Sequence, residues 1–581
     1  MFNKYTDNKN QQIVIALLKA FGVKKVIASP GGTNPALVAS FQYDGSFEIY
    51  SCVDERSAAY MACGLSEESN EPVVICCTGA TASRNYMPGL TEAYYRKLPI
   101  ITLTCSRPLE AIGQLIPQVT DRTAYPNDIF VDGAQLTPVR TNQEFEQCSY
   151  LVNRVLLSSK RRGGGPVHLN IVSITQSCET DRLPSVPIIS RYMSYEVLPD
   201  IPNGKVAVFI GAHKEFCREE IVTIDRFCQK FNAIVLCDHT SSYNGTYRID
   251  YSLIGTQVLH SFSLLNLDLL IHIGSVSGDY QTPKCINAKR IWRVNEDGEL
   301  RKTFAHIEAV FEMPEKVFFD NMIDKNPCDS KKSCFLHEVD GLYEKLYSQI
   351  PDLPFSNIWM AKVLAPKMPA NSVIHFAILN SLRSWNFFKI NASIKSMCNV
   401  GGFGIDGCTS SLIGASFVNK NRNYFLISGD LAFFYDLNAI GNRHIGGNVR
   451  ILLVNTGNGA EFLHFQSPVY EVGVKPFIAA DGHFGNRSST FVKGMAEALG
   501  FDYFSVRNKQ EFEKAQVLFV DEQIHKRPML VEAFTSAEDQ SLAWELISKI
   551  EDATVHDSFK SAISNVKRSS LGSVLKKLKK Q

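Results

Sequence analysis

The densest chemistry in the chain lies between Tyr424 and Phe462. An apolar run, Phe425-Leu426-Ile427, stops at Ser428-Gly429-Asp430, and a second, Ile451-Leu452-Leu453-Val454, stops at Asn455-Thr456-Gly457-Asn458-Gly459. Between them Leu431, Phe434, Leu437 and Ile440 recur every third residue, which predicts a helix. The reading is strand, helix, strand, with hard oxygen ligands at the carboxyl end of both strands. In a doubly wound parallel sheet those ends lie side by side, where ligands bind. An Asp carboxylate, an Asn or Thr side chain and a backbone carbonyl suit Mg2+, which prefers oxygen and is often completed by substrate phosphates. The helix N-terminus after Asp430 would add N–H donors for a phosphate.

The elements that must position such residues can be read along the whole chain. A helical pattern from Gln11 to Phe21 leads into a strand, Lys25–Ala28, that ends at Ser29-Pro30-Gly31-Gly32-Thr33-Asn34-Pro35. A strand around Phe47–Cys52 is followed by Val53-Asp54-Glu55-Arg56 and a small-residue helix, Ala58–Leu65. Pro72–Cys77 runs into the loop Thr78 to Asn85, and Pro99–Thr104 ends at Cys105-Ser106-Arg107-Pro108. This alternation predicts a parallel α/β domain over residues 1–180. A polar stretch, Gln176–Asn203, reads as a linker. Strand candidates at Val206–Ile210, Ala233–Leu236, Asp268–Ile273 and Arg290–Val294 then predict a central α/β domain over 190–325. Asn326–Ser333 reads as a second linker, and a third α/β domain is expected over 355–545, with Ser372–Phe376 as a strand, Asn380-Ser381 as a turn and a Gly401–Gly407 loop.

The spacing Gly429-Asp430, some two dozen residues, then an Asn-containing turn resembles the signature of thiamine diphosphate enzymes. The wording Gly429-Asp430-Leu431-Ala432 with Tyr435-Asp436-Leu437-Asn438-Ala439 is most similar to the menaquinone-pathway synthases that join 2-oxoglutarate to isochorismate. Thr456 stands where the family carries a second Asn, and Ala432 where it carries Ser. Ser29-Pro30-Gly31, Asp54-Glu55-Arg56 and the Thr78–Asn85 loop fall in the order of the family's pyrimidine-binding domain. The resemblance implies three doubly wound parallel-sheet domains and two cofactors, thiamine diphosphate and Mg2+. Glu55 would be the catalytic acid at the aminopyrimidine ring, helped by a shielded site that raises a carboxyl pKa. Ile405 would wedge the cofactor rings into a bent conformation, and Asn380 with Ser381 would meet the diphosphate. Gly31, Thr78, Gly79, Gly404, Gly429, Ala432 and Phe462 complete the implied cofactor contacts. Asp430, Thr456 and the carbonyl of Asn458 would hold the metal, with Asn455 an alternative ligand.

The implied reaction decarboxylates a 2-oxo acid and transfers the carbanion to an acceptor. Simple decarboxylation and the menaquinone-pathway reaction itself are the alternatives. Candidates to receive a carboxylate or a polar acceptor are Arg84, Arg107, Gln118 and Arg383. The menaquinone synthases carry an Arg in the Ser-Pro-Gly loop and another before Gly-Ile-Asp-Gly; here the loop reads Gly32-Thr33-Asn34, and Val400 takes the second place. The middle-domain loop Gly274-Ser275-Val276-Ser277-Gly278 is expected to reach toward a substrate. Because the two cofactor-binding domain types of this family meet across a subunit boundary, a homodimer or homotetramer is implied.

A rival pattern is present. Gly402-Phe403-Gly404-Ile405-Asp406-Gly407 fits a dinucleotide fingerprint, followed by a helix at Ser410–Val418 and by Asp430. The run before it, Ile394–Val400, reads as a poor strand, and an NAD(P) dehydrogenase would leave Asp54-Glu55 and the Asn455 turn unexplained. A non-catalytic relative would not need both Glu55 and Asp430.

At 581 residues the chain exceeds a single core. A formal charge of +1 offers no electrostatic case for nucleic acid. Fifteen Cys lack a metal-ligand spacing and read as reduced thiols. Met1–Lys9 is polar, and no window approaches ~20 apolar residues, so a cytoplasmic location is expected. The tail over 558–581 carries seven Lys or Arg and no acid, leaving −6 for the body, and could make a weak contact with an anionic surface.

Overall fold

The computed structural model describes residues 4–121, 124–257, 264–325, 334–463, 475–481 and 488–551. The basic tail and the expected linker Asn326–Ser333 lie outside them. Two compact units are present: Met1–Val197 with Trp292–Pro314, and Leu198–Ile291 with Glu315–Gln581.

In the first unit six strands form one parallel sheet: β1 (Lys25–Ala28), β2 (Glu48–Ser51), β3 (Val73–Thr78), β4 (Ile100–Ser106), β5 (Asp132–Leu136) and β6 (Val167–Val172). Their order is β2-β1-β3-β4-β6-β5. β3 is buried along its whole length because the sheet is covered on both faces. Alternation sends Val74 and Cys76 into one core with Ile13, Leu17 and Val152, and Val73, Ile75 and Cys77 into another with Ala59, Tyr86 and Leu90. The adjacent Cys76 and Cys77 are therefore core side chains on opposite faces, and no disulfide joins the described cysteines.

The polar stretch read as a linker, Gln176–Asn203, contains a strand, β7 (Ser190–Met193), which pairs in parallel with Ile307–Glu312 in the same unit. Its four residues are all only half-buried, so no apolar run marked it in the sequence.

In the second unit β8 (Val206–Ile210), β9 (Ala233–Cys237), β10 (Arg248–Asp250) and β11 (Leu269–Ile273) run parallel in the order β10-β9-β8-β11. The same unit holds a six-stranded parallel sheet: β12 (Val373–Phe376), β13 (Lys395–Cys398), β14 (Tyr424–Gly429), β15 (Val449–Asn455), β16 (Asp502–Val506) and β17 (Met529–Phe534). Its order, β13-β12-β14-β15-β17-β16, repeats that of the first sheet strand for strand. Both sheets reverse direction between their first and third strands, and such a switch point opens a crevice at the carboxyl ends.

Two local expectations are corrected. Ile394–Val400 does contain a strand, β13, an edge strand that pairs only with β12 and so tolerates Lys395 and Ser396. The helix after Asp430 is shorter than its apolar spacing predicts. It spans Asp430–Tyr435 and gives way to a 3-10 turn, Leu437–Gly441. The break falls at Asp436, whose carboxylate accepts from the Ser410 N–H and hydroxyl, each at 2.6 Å. Among the described residues no helix is long and apolar enough to cross a membrane.

Candidate active site

At the switch point of the second unit's six-stranded sheet, β12, β14 and β15 deliver their carboxyl ends to one cavity of about 130 Å3. Its lining includes Asn380 and Ser381 after β12, Gly429, Asp430 and Ala432 after β14, and Thr456, Asn458, Glu461 and Phe462 after β15. Ile405 closes one side. Residues separated widely in sequence thus converge because three parallel strands end at the same level.

Asp430 is 3% exposed, and its carboxylate forms no ion pair among the described residues. One oxygen accepts the N–H groups of Thr456 at 3.0 Å and Gly457 at 2.7 Å; the other accepts the Leu431 N–H at 2.8 Å. Burial pushes its pKa up to about 6 despite those three donors. The Thr456 hydroxyl lies 3.4 Å from the same carboxylate and donates to the Asn458 carbonyl at 2.8 Å. The Asn458 side-chain oxygen is buried with no hydrogen-bond partner among the described residues. A buried carboxylate with no cationic partner among the described residues, beside a hydroxyl and an orphaned amide oxygen, is a donor set that fits a hard divalent cation.

Asn455 points elsewhere. It is 2% exposed, its amide donates to Glu532 Oε1 at 2.7 Å, and it does not line the cavity. Glu532, fully buried on β17, also accepts from the Tyr503 hydroxyl at 2.7 Å.

Glu461, absent from the sequence reading, is tied to two residues of that reading. With the Asn380 amide oriented to match it, Asn380 Nδ2 donates to Glu461 Oε2 at 2.7 Å, and the Glu461 N–H donates to Asn380 Oδ1 at 3.1 Å. Its other oxygen pairs with Arg383. Arg383 lies behind the cavity wall, with its guanidinium 3.9 Å from the Tyr280 ring centre. Tyr280 belongs to the segment after the middle-domain loop, and a side chain at Gly278 of that loop would meet Leu382 and Val400. Neither Leu382 nor Val400 lines the cavity, and no residue of that loop does. Gly404 lies outside the cavity lining, where a Cβ would sit 2.3 Å from Asp406 Oδ1. Asn357 and Gln540 also line the cavity, and no motif marked either.

The first unit brings a second set of residues together at its own switch point. Gly31 packs so closely that a Cβ there would lie 2.7 Å from Thr78 Cβ, and one on Gly79 would lie 2.9 Å from Ser106 Cβ. The Thr33 hydroxyl bonds the Thr78 hydroxyl and the Cys105 carbonyl, which fastens the loops after β1, β3 and β4 to one another. Thr120 donates to the Gly79 carbonyl at 3.0 Å, and Arg84 to the Asp121 carbonyl at 3.0 Å. Gln118 adopts a left-handed backbone (φ 63°), and a Cβ on Gly32 would come within 3.8 Å of its side-chain oxygen. Arg107 is exposed at the end of β4.

Glu55 opens the helix Glu55–Ser69, just beyond β2. The helix is capped by Asp54, whose carboxylate accepts from the Arg56 N–H and the Ser57 hydroxyl, both at 3.0 Å, and lies 3.7 Å from Arg56 Nη2. Asp54 thus does the structural work in Asp-Glu-Arg, and the half-buried Glu55 takes part in none of those contacts.

Residues 8–125 match the family described as thiamine pyrophosphate enzyme, N-terminal TPP binding domain. A Phocaeicola vulgatus protein named 2-succinyl-5-enolpyruvyl-6-hydroxy-3-cyclohexene-1-carboxylate synthase is 29% identical over 566 residues, covering 92% of this chain and 97% of the relative. A Bacteroides fragilis protein of the same name is 28% identical over 564 residues, with the same coverage. A solved structure, the Rhodococcus jostii RHA1 thiamine diphosphate-dependent 4-hydroxybenzoylformate decarboxylase, aligns at 15% identity and a TM-score of 0.38, covering 91% of this chain and 99% of that one. Residues 8–125 thus match a thiamine pyrophosphate-binding domain, and nearly the whole chain is similar to the synthases just named, over a repeated parallel sheet that bears a buried acid at its switch point.

Proposed function

We propose that this chain decarboxylates a 2-oxo acid and joins the remaining acyl unit to the carbonyl carbon of an acceptor. The observation that carries this is the cavity in which Asp430, Thr456 and Asn458 present oxygens beside Asn380, Ser381 and Ile405. Thiamine diphosphate, when bound, supplies a carbon that attacks carbonyl groups and stabilises the charge left by loss of carbon dioxide. Asp430, the Thr456 hydroxyl and the Asn458 side-chain oxygen would hold Mg2+, the side-chain oxygen replacing the Asn458 carbonyl expected from the sequence, which accepts from Thr456 instead; Mg2+ takes such oxygen ligands and keeps sites for phosphate. Asn380 and Ser381 would orient the diphosphate. The Glu55 carboxyl would hold a proton at the aminopyrimidine nitrogen.

In the net reaction the C1–C2 bond of the oxo acid breaks and carbon dioxide leaves. C2 bonds to the acceptor's carbonyl carbon, and the acceptor's oxygen takes up one proton. No oxidant or reductant is required.

The protein would work as a homodimer or homotetramer. Val53, Tyr60 and Met61, beside and on the helix that begins at Glu55, are 77%, 48% and 50% exposed, and a second copy is the cover we assign to them.

A second reading, the menaquinone-pathway reaction of 2-oxoglutarate with isochorismate, is favoured by the shared name of relatives that cover 92% of the chain. One experiment separates the two. The purified protein, loaded with thiamine diphosphate and Mg2+, is offered pyruvate, 2-oxoglutarate and longer oxo acids, with and without isochorismate, and carbon dioxide is measured. Release without isochorismate supports the general reading, and release only with 2-oxoglutarate and isochorismate together supports the second. No release and no cofactor binding would sink both.

A further inference from the structure

Leu379 lines the cavity just before Asn380, and its backbone sits at φ 70° and ψ −125°, a region that an L side chain rarely adopts. Such a conformation persists only where the surroundings over-determine it. Here the surroundings grip Asn380. The Asn357 amide donates to the Asn380 carbonyl at 3.2 Å. Glu461 takes the Asn380 side chain at both ends, accepting from Nδ2 at 2.7 Å and donating its N–H to Oδ1 at 3.1 Å. An acceptor and a donor so placed admit only one of the two orientations of an amide. That orientation leaves one Nδ2 hydrogen uncommitted among the described residues, on a side chain that lines the cavity.

Glu461 is aimed in its turn. Its other oxygen pairs with Arg383, whose guanidinium lies 3.9 Å from the centre of the Tyr280 ring. Neither Arg383 nor Tyr280 lines the cavity, so both act through Glu461. Tyr280 follows Asp279, which is buried and accepts from the Ser252 hydroxyl at 2.6 Å and the Gln281 N–H at 2.8 Å. The ring therefore stands on a fixed base in the segment after β11. Arg383 also cancels the charge that Glu461 would otherwise set against a diphosphate.

Resting on the assignment of Asn380 to the diphosphate, we propose that Tyr280, Arg383 and Glu461 form a positioning chain for cofactor binding. The chain runs from the central sheet to the turn after β12. It holds that turn in its strained form, with an N–H donor ready, before the cofactor arrives. Affinity rises because the turn is ordered on folding rather than on binding.

The test is the affinity of the full chain, freed of cofactor by dialysis, for thiamine diphosphate at saturating Mg2+, read by calorimetry. The melting temperature of the same cofactor-free protein is measured beside it. Glu461→Leu separates positioning from charge. Were Glu461 only an anion near the site, removing it would tighten the binding of a diphosphate. As a positioning residue, its removal should weaken binding by about 10-fold, within the range that release of one strained residue implies. Arg383→Gln should weaken it at least as much, because the carboxylate is left both unaimed and uncancelled. Tyr280→Leu should weaken binding by a smaller factor, and Tyr280→Phe, which keeps the ring, should restore it. Tyr280 is 37% exposed, so the melting temperature should be the same in both of its variants. Should Glu461→Leu or Arg383→Gln fail to fold, the Tyr280 pair decides alone. Unchanged or tighter binding in Glu461→Leu overturns the inference and leaves the functional reading intact, as does a loss in Tyr280→Leu that Tyr280→Phe does not restore. A wild type that fails to bind thiamine diphosphate overturns both.

Discussion

Asn455 Nδ2 donates to Glu532 Oε1 at 2.7 Å inside the sheet, while the next residue, Thr456, faces the cavity. The two neighbours should therefore fail in different ways. Asn455→Ala leaves a fully buried carboxylate short of a donor, which costs about 1–3 kcal/mol. Its urea midpoint should fall clearly, with Mg2+ affinity nearly unchanged. Thr456→Ala should do the opposite, and equal losses of metal affinity in both variants would refute the assignment.

Glu55→Gln should abolish most turnover while leaving the fold and cofactor binding in place. Proton transfer by a positioned side chain contributes about 10²–10⁴-fold, and kcat should drop within that range. Glu55 takes no part in the helix cap, so the melting temperature should stay close to that of the wild type. Asp54→Ala, which removes the cap, should lower stability by about 1 kcal/mol. Thermal melts and steady-state kinetics on both variants decide the matter.

Gly31→Ala places a methyl group 2.7 Å from Thr78 Cβ, where the loop after β1 meets the end of β3. Overpacking of this kind costs about 1–3 kcal/mol. Because Thr33 bonds both Thr78 and the Cys105 carbonyl, the displaced loop should also drag the neighbouring strand end. The expected outcome is a lower denaturation midpoint together with weaker thiamine diphosphate binding, read by calorimetry. A Thr78→Ser change in the same background should recover part of both losses.

Asp44 supplies a pH signature. Burial raises its pKa, but donors on Lys19, Tyr5 and Ser46 outweigh that effect and bring it down to about 2. Since the unfolded carboxyl titrates near 3.8, ionised Asp44 stabilises the fold at neutral pH, and that contribution fades as pH falls from about 4 toward 2. It is worth about 1–2 kcal/mol at neutral pH. Asp44→Asn should be less stable than wild type at pH 7, and the gap should close by pH 2 in parallel urea titrations.

Much of the fold could be read from residue order. Apolar runs of four to seven residues broken by Gly, Ser, Thr and Asn marked β1, β3, β8 and β14 to within a residue or two, because a strand covered on both faces must be apolar throughout. Edge and partly exposed strands were another matter. β7 and β13 carry polar side chains toward solvent, and so nothing in composition separates them from loop. The break at Asp436 was equally hidden, since its cause is a pair of hydrogen bonds from Ser410.

By itself the sequence determined which strand ends carry oxygen ligands, glycines and Glu55, since those are properties of residue type and local spacing. Only the tertiary structure decided which of them face one another. Strand register turned Asn455 inward and Thr456 outward, and chain packing set Arg383 and Tyr280 behind Asn380 and Glu461, which line the cavity. Contacts between residues 77 and 78 positions apart depend on where whole strands lie in the sheet, and that is settled by burial of the shared core rather than by any local signal.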